Sequence, residues 1–316
     1  MTIKRRDFLK GIAGGAALTI LPDFSSARDK TISPSEAVGI LYDATLCIGC
    51  QACMVACKKA NNMPYEHQGP LPLWDNPVDL SSKTLNIIKK YKTGTQKTKD
   101  SMLNGYSFIK RHCMHCFDPA CVSACPASAL TKDQHTGIVS YNKDACIGCR
   151  YCQVACPFNI PKFEWDEAFP QIVKCQLCSH LISKGKISAC CEACPTGASL
   201  FGPVIDLHAE AQRRLDMTPG GDYNFPVASV SYGKTQSHKA AKYVRHIYGE
   251  TESGGTQVLL MSGVPFNLLG LPELQDLSYA ALSEKIQHMI YKGMLLPVAV
   301  LGGLAFIVAR NTKNEE

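Results

Sequence analysis

Sixteen of the seventeen cysteines in this 316-residue chain fall into four runs of four, and nothing else in the sequence restricts its fold as tightly. The runs are Cys47, Cys50, Cys53, Cys57; Cys113, Cys116, Cys121, Cys125; Cys146, Cys149, Cys152, Cys156; and Cys175, Cys178, Cys190, Cys194. The first and third read C-x2-C-x2-C-x3-C; the second widens its middle gap to x4 and the fourth to x11. The runs are also internally repeated. Cys47–Cys57 matches Cys146–Cys156 at eight of eleven positions, and Cys125-Pro126-Ala127-Ser128-Ala129 parallels Cys194-Pro195-Thr196-Gly197-Ala198. Three runs end in Cys-Pro, at Pro126, Pro157 and Pro195.

A thiolate run of this form is the ligand set of a cubane [4Fe–4S] cluster. Each iron takes one terminal thiolate, so a loop with cysteines three residues apart wraps three corners of the cube. The fourth cysteine leaves the loop, at the start of a helix, for the neighbouring cluster. A proline after it fixes φ and lacks an N–H, which suits a first helical turn. Gly49 and Gly148 sit where the backbone must pass close to the cluster. Four runs therefore predict four [4Fe–4S] clusters and a path for single electrons. Zinc is the competing chemistry, because sixteen thiolates could hold four zincs in a structural protein. Paired zinc motifs, however, are usually separated by ~15–20 residues, whereas three of these runs crowd their cysteines within 13 residues. Disulfide scaffolds are usually short chains. Cys191, the seventeenth cysteine, reads as a small buried hydrophobe, with Cys190 as the ligand because it keeps the x3 spacing to Cys194.

The twenty residues between the second and third runs carry a turn and short strand at 136–141, and the spacing resembles a compact two-cluster ferredoxin. The expected fold is α+β: two bacterial-ferredoxin-like modules with long insertions, plus one C-terminal transmembrane helix. The inner module is 105–165, and the outer one joins 40–60 with 166–205. Exchange of the fourth ligand between paired clusters then predicts four sets. They are Cys113, Cys116, Cys121 with Cys156; Cys146, Cys149, Cys152 with Cys125; Cys47, Cys50, Cys53 with Cys194; and Cys175, Cys178, Cys190 with Cys57. Residues 61–104 form a polar insertion whose basic stretch, Lys83, Lys89, Lys90, Lys92, Lys97 and Lys99, reads as a solvated loop or as a docking surface for a redox partner. Residues 206–290 form a C-terminal extension. It opens with a short amphipathic helix over Asp206–Asp216 that turns Leu207, Ala211 and Leu215 inward. The Gly-, Pro- and Tyr-rich remainder is expected to wrap over the modules or a partner.

Residues 1–27 read as a twin-arginine signal peptide: Lys4-Arg5-Arg6-Asp7-Phe8-Leu9-Lys10, an apolar stretch from Gly11 to Leu21, and small residues at Ser25-Ser26-Ala27. That route carries folded cargo, as a protein whose clusters are built before export requires, and it implies a periplasmic location. Near the other end, residues 291–310 read as a membrane helix. Gly293–Ala309 is uncharged, spans ~25 Å as a helix, and is flanked by Lys292 and Arg310, which can snorkel. The export signal orients this span with the clusters outside. The formal net charge of +6 does not point to nucleic acid. The leader supplies a net +2 of it through Lys4, Arg5, Arg6 and Lys10 against Asp7 and Asp23. Each oxidised cluster with its thiolates adds roughly −2, and no nucleic-acid-binding motif is present.

No catalytic constellation emerges. His112 and His115 flank the second run, where hydrogen bonds could tune a cluster but surface or packing roles are the favoured reading, and His288 beside the membrane span could approach a quinone. The cysteine runs, the leader and the C-terminal span together resemble the iron–sulfur subunits of membrane-bound bacterial oxidoreductases. Within that group the chain is similar to the ferredoxin-type subunit of hydrogenase-2 class nickel–iron hydrogenases. The likeness extends to segments without cysteines: Gly39-Ile40-Leu41-Tyr42-Asp43, Tyr248-Gly249-Glu250, Gly254-Gly255-Thr256-Gln257-Val258-Leu259, Leu271-Pro272-Glu273-Leu274 and Ile286-Gln287-His288. The resemblance implies a subunit that does no bond chemistry. It would pass electrons from hydrogenase small and large subunits to an integral-membrane quinone-reducing subunit. The same role beside a molybdenum enzyme, such as a formate dehydrogenase or a sulfur-oxyanion reductase, fits the cysteines equally.

Overall fold

The computed structural model describes residues 34–66 and 76–312. The expected leader at 1–27 lies outside the described residues, as do 67–75 of the insertion. Strand β1 (Val38–Asp43) is buried along almost its whole length, as a continuous apolar run predicts for a strand covered on both faces. It leads into the first cysteine run and helix α1 (Ala52–Ala60).

Among its described residues the insertion is not a solvated loop. Strands β2 (Ile87–Lys92), β3 (Thr98–Lys99) and β4 (Gly105–Arg111) form a sheet in the order β2-β4-β3. It buries Ile87, Ile88, Phe108 and Ile109. The lysines that made the segment look solvated are partly engaged: Lys99 Nζ donates to the carbonyls of Ala44 at 3.0 Å and Thr45 at 2.5 Å. Gly105–Arg111, read from sequence as the start of the inner module, belongs to this sheet instead.

Short elements then carry the other three runs: α2 (Ala120–Ser123), the β5 (Leu130–Lys132) and β6 (Val139–Tyr141) hairpin, α3 (Tyr151–Ala155), the β7 (Lys162–Phe163) and β8 (Ile172–Val173) pair, α4 (Ser179–Ile182) and α5 (Ala189–Glu192). After the fourth run, β9 (Ser199–Pro203) pairs antiparallel with β1, Tyr42 opposite Ser199. This brings the first and fourth runs to one end of the same sheet.

Helix α6 (Val204–Leu215) buries Leu207 and Ala211, and Leu215 is half-buried. It also buries Arg214 completely. The guanidinium sits 2.9 Å from Asp43 Oδ2 and 2.8 Å from Glu210 Oε1. A hairpin of β10 (Asp222–Pro226) and β11 (Thr235–Lys239) follows. The extension then does more than wrap. Its strand β12 (Val258–Met261) pairs parallel with β1, Ile40 opposite Val258, and completes the sheet β12-β1-β9.

Gln257, fully buried just before β12, joins β1 to the segments that carry His115 and Thr136. Its Nε2 donates to Val38 O at 2.6 Å and Thr136 O at 2.8 Å, and its N–H donates to His115 O at 3.2 Å. Gly39 must be glycine there, because a Cβ would lie 1.9 Å from Gln257 O.

The last element, α7 (Tyr279–Thr312), contains Pro297. Its Tyr279–Arg310 stretch is long and apolar enough to cross a membrane, with mean hydropathy 2.0 over its 18-residue window. Ile290, Met294, Val298, Leu301 and Phe306 on it are exposed.

Candidate iron–sulfur sites

All four C-x2-C loops share one backbone device. The residue before the second cysteine is left-handed in every run: Gly49 (φ 71°), His115 (φ 48°), Gly148 (φ 68°) and Leu177 (φ 53°). The turn brings backbone N–H groups onto sulfur, with Gly49 N–H 3.4 Å from Cys47 Sγ and Leu177 N–H 3.4 Å from Cys175 Sγ. At His115 and Leu177 this conformation costs roughly 1–2 kcal/mol, which the surrounding structure must offset. The glycines signalled the turn in two runs; nothing in the residue types signalled it in the others.

The fourth cysteines do not start helices. Cys125 and Cys194 follow the ends of α2 and α5, and Cys156 caps the end of α3. The prolines after them stop helices rather than begin them, since proline cannot continue the ladder. Three residues after each of these cysteines the chain turns left-handed again, at Ser128, Asn159 and Gly197. The first run, with Lys58 in place of proline, lets α1 continue past Cys57 to Ala60.

The sixteen cysteines meet in fours. Cys47, Cys50, Cys53 and Cys194 line one cavity with Tyr42, Ile88 and Ser199. Cys57, Cys175, Cys178 and Cys190 line a second with Asn61, Asn86 and His112. Cys125, Cys146, Cys149 and Cys152 line a third with Leu130 and Ile172. Cys116 is surrounded by Cys156, Cys121 and Cys113; burial first, then the charges of those three thiols, pushes it far above an ordinary thiol. Charge–charge influence links each group to the next and orders them in a file. Cys53 senses Cys190, Cys175 senses Cys113, and Cys121 senses Cys152. The two end groups reach the surface. Cys50 is exposed, with Ile48 beside it, at one end. At the other, Ile147, Tyr151 and Val154 are exposed around half-buried Cys149.

This donor set fits iron–sulfur clusters. Burial pushes the Cys57 thiol up to about 12 and the Cys152 thiol up to about 11, and neighbouring thiols push in the same direction. Four thiolates held together in such a place need a cationic metal core among them. A single zinc would draw its ligands to ~2.3 Å from one point. Among the described residues no three His, Cys, Asp or Glu side chains converge in that way; the cysteines stand around cavities instead.

Cys191 is fully buried and is a free thiol. Its thiol and the Lys110 charge outweigh burial and hold Cys190 well below the ordinary thiol value, while burial pushes Cys191 up. His112 and His115 are both buried. His112 Nδ1 bonds Cys113 O at 2.9 Å, and burial followed by the Lys110 charge lowers the ring to about 3. His115 Nδ1 accepts from Val139 N–H at 3.1 Å. His288 lies on α7.

Comparison with known proteins agrees with this chemistry. The family described as a 4Fe–4S dicluster domain matches residues 105–204. The hydrogenase-2 operon protein HybA of Escherichia coli O157:H7 is 49% identical over 319 aligned positions, covering 99% of this chain and 97% of that protein. The iron–sulfur subunit of the nitrate-inducible formate dehydrogenase of Escherichia coli (strain K12) is 30% identical, covering 89% of this chain and 87% of that subunit. The formate dehydrogenase-O iron–sulfur subunit of the same strain is 32% identical, covering 87% and 81%. The chain belongs to the iron–sulfur electron-transfer subunit family that contains the hydrogenase-2 operon protein HybA and, at lower identity, the formate dehydrogenase iron–sulfur subunits.

Proposed function

We propose that this chain carries single electrons from the small and large subunits of a nickel–iron hydrogenase to an integral-membrane subunit that reduces quinone. Four [4Fe–4S] clusters in two ferredoxin-like modules would supply reversible one-electron chemistry at potentials set by the protein around them. The single-file meeting of the sixteen cysteines carries the reading. Cys47, Cys50, Cys53 and Cys194 would hold one end of the file. Cys57, Cys175, Cys178, Cys190 and then Cys113, Cys116, Cys121, Cys156 would hold its buried middle, and Cys125, Cys146, Cys149, Cys152 the other end. The left-handed loop residues aim N–H groups at the sulfurs, and the buried walls of the middle sites exclude water. No part of the chain performs bond chemistry in this role. The twin-arginine leader would export it folded to the periplasmic face, and α7 would anchor it in the membrane. The likeness to HybA favours the hydrogenase partner. The likeness to formate dehydrogenase subunits keeps one second reading, the same wire serving a molybdenum enzyme.

The test is metal analysis of the tagged protein, solubilised from membranes without oxygen together with whatever co-purifies. Iron of about sixteen per chain from this subunit, with further iron and nickel from a partner, is the expected result. Iron with molybdenum and no nickel moves the wire to the second reading. Zinc without iron, or recovery only from the soluble fraction, overturns the cluster or the membrane part of the proposal respectively.

A further inference from the structure

Lys110 is a buried cation whose partners the fold leaves unexplained. It lies on β4 with 1% exposure, opposite Ile88 of β2. An ammonium has three donors, and the other deeply set lysines spend theirs on oxygen. Lys58 donates to Pro64 O, Lys83 O and Thr84 Oγ1. Lys132 donates to Cys116 O, Gly137 O and Gln257 Oε1, and Lys174 to Val139 O and Cys175 O. Among the described residues, Lys110 has one oxygen partner, the Ser199 hydroxyl at 3.2 Å. The charges that act on it are those of sulfur: Cys190 first, then Cys53 and Cys191. Ser199 and Cys53 line one cavity and Cys190 lines the next. The ammonium therefore stands in the wall between two four-cysteine sites. A buried charge is costly unless paired and hydrogen-bonded, and the anions within its reach are thiolates.

We propose that Lys110 is a positioning residue for electron transfer, its ammonium bridging the two cysteine sites formed by the first and fourth runs and raising the reduction potentials of the clusters held there. The inference rests on the four-cluster reading. Reduction adds negative charge to a cluster, so a fixed cation at close range stabilises the reduced state more than the oxidised one. Standing between two such sites, the same cation also weakens the repulsion between electrons on adjacent clusters. The sheet of the insertion then has a functional consequence, because β4 is the strand that delivers this charge.

The experiment compares wild type, Lys110→Met and Lys110→Arg in the full chain within its membrane complex. Iron and acid-labile sulfide are counted first, and the clusters are then titrated electrochemically with EPR detection. In Lys110→Met two of the four midpoints should fall, each by at least a tenfold change in the one-electron equilibrium, which is 59 mV, while the other two stay. Lys110→Arg, which keeps the charge, should remain near wild type. A fully loaded Lys110→Met protein with four unmoved midpoints overturns the proposal, as does an Arg variant that shifts as far as the Met variant. If the neutral variant loses its clusters, heavy-nitrogen-labelled lysine in wild type and in Lys110→Arg decides: pulsed EPR of the reduced clusters should detect in wild type a lysine nitrogen coupling that Lys110→Arg lacks, and identical spectra overturn the proposal. Wild type without iron would instead defeat the four-cluster reading, and the iron count separates that failure from failure of the lysine inference.

Discussion

Arg214 shows how much a single side chain can hold in this protein. It is completely buried, 2.9 Å from Asp43 at the end of β1 and 2.8 Å from Glu210 one helical turn earlier. Tyr243 completes the group, donating to Asp43 Oδ2 at 2.7 Å. Removing the cation leaves the buried Asp43 carboxylate uncompensated, so Arg214→Met should destabilise the chain by about 3–5 kcal/mol, measured by anaerobic denaturant unfolding. Glu210 adds a pH dependence of known sign. Burial alone would raise its carboxyl, but the Arg213 hydrogen bond and the Arg214 charge outweigh burial and hold it below 4.5. A depressed carboxyl contributes stability that is fully present above its unfolded value and is lost as pH falls through the folded one. The stability gap between wild type and Glu210→Gln should therefore be open at about pH 7 and close as pH drops below about 4; a gap that widens in acid would contradict the assignment. None of this was legible in the sequence. The helical period marked Leu207, Ala211 and Leu215 as inward, and nothing in it singled out Arg214, since arginine is rarely buried without partners.

At the scale of elements, the first and third runs are nearly the same sequence with different helices. Cys47–Cys57 ends in Lys58 and its helix runs nine residues; Cys146–Cys156 ends in Pro157 and its helix runs five. Proline removes a donor and clashes with the preceding turn, at a cost of about 3 kcal/mol inside a helix. Lys58 instead extends α1 and anchors it, reaching Pro64 O at 2.8 Å, Thr84 Oγ1 at 2.8 Å and Glu66 at 3.5 Å. Lys58→Pro should truncate α1, lower the melting temperature and displace Cys57 from the cavity it shares with Cys175, Cys178 and Cys190. The readout is iron per chain, which should drop by about one cluster's worth, four irons; full iron content with an unchanged melting temperature would show that the extension holds nothing. The runs announced the loops because metal ligation fixes short spacings. They did not announce helix polarity at the fourth cysteine, because proline is compatible with either end of a helix and only the neighbouring packing chooses.

For the whole molecule, the file of four cysteine groups makes the proposed wire serial, so an interruption anywhere should stop it. Cys53→Ser, at one end of the file, should abolish hydrogen-dependent quinone reduction while hydrogen oxidation with an artificial dye at the catalytic partners survives. Quinone reduction that persists in that variant would mean that electrons bypass this chain. The amino-acid sequence by itself determined the chemistry: sixteen thiolates at ferredoxin spacing, a leader pattern, and an apolar stretch that α7 now contains. Those signals survive without a structure because each is local, set by a few residues in a fixed order. Only the tertiary structure decided that β12 completes the sheet around β1, that the insertion is a sheet carrying Lys110 between two sites, that Gln257 ties β1 to the segments that carry His115 and Thr136, and that the groups stand in single file. Each of those depends on contacts between residues far apart in the chain, where pairing is set by burial and by the satisfaction of buried polar groups rather than by any spacing that a sequence displays.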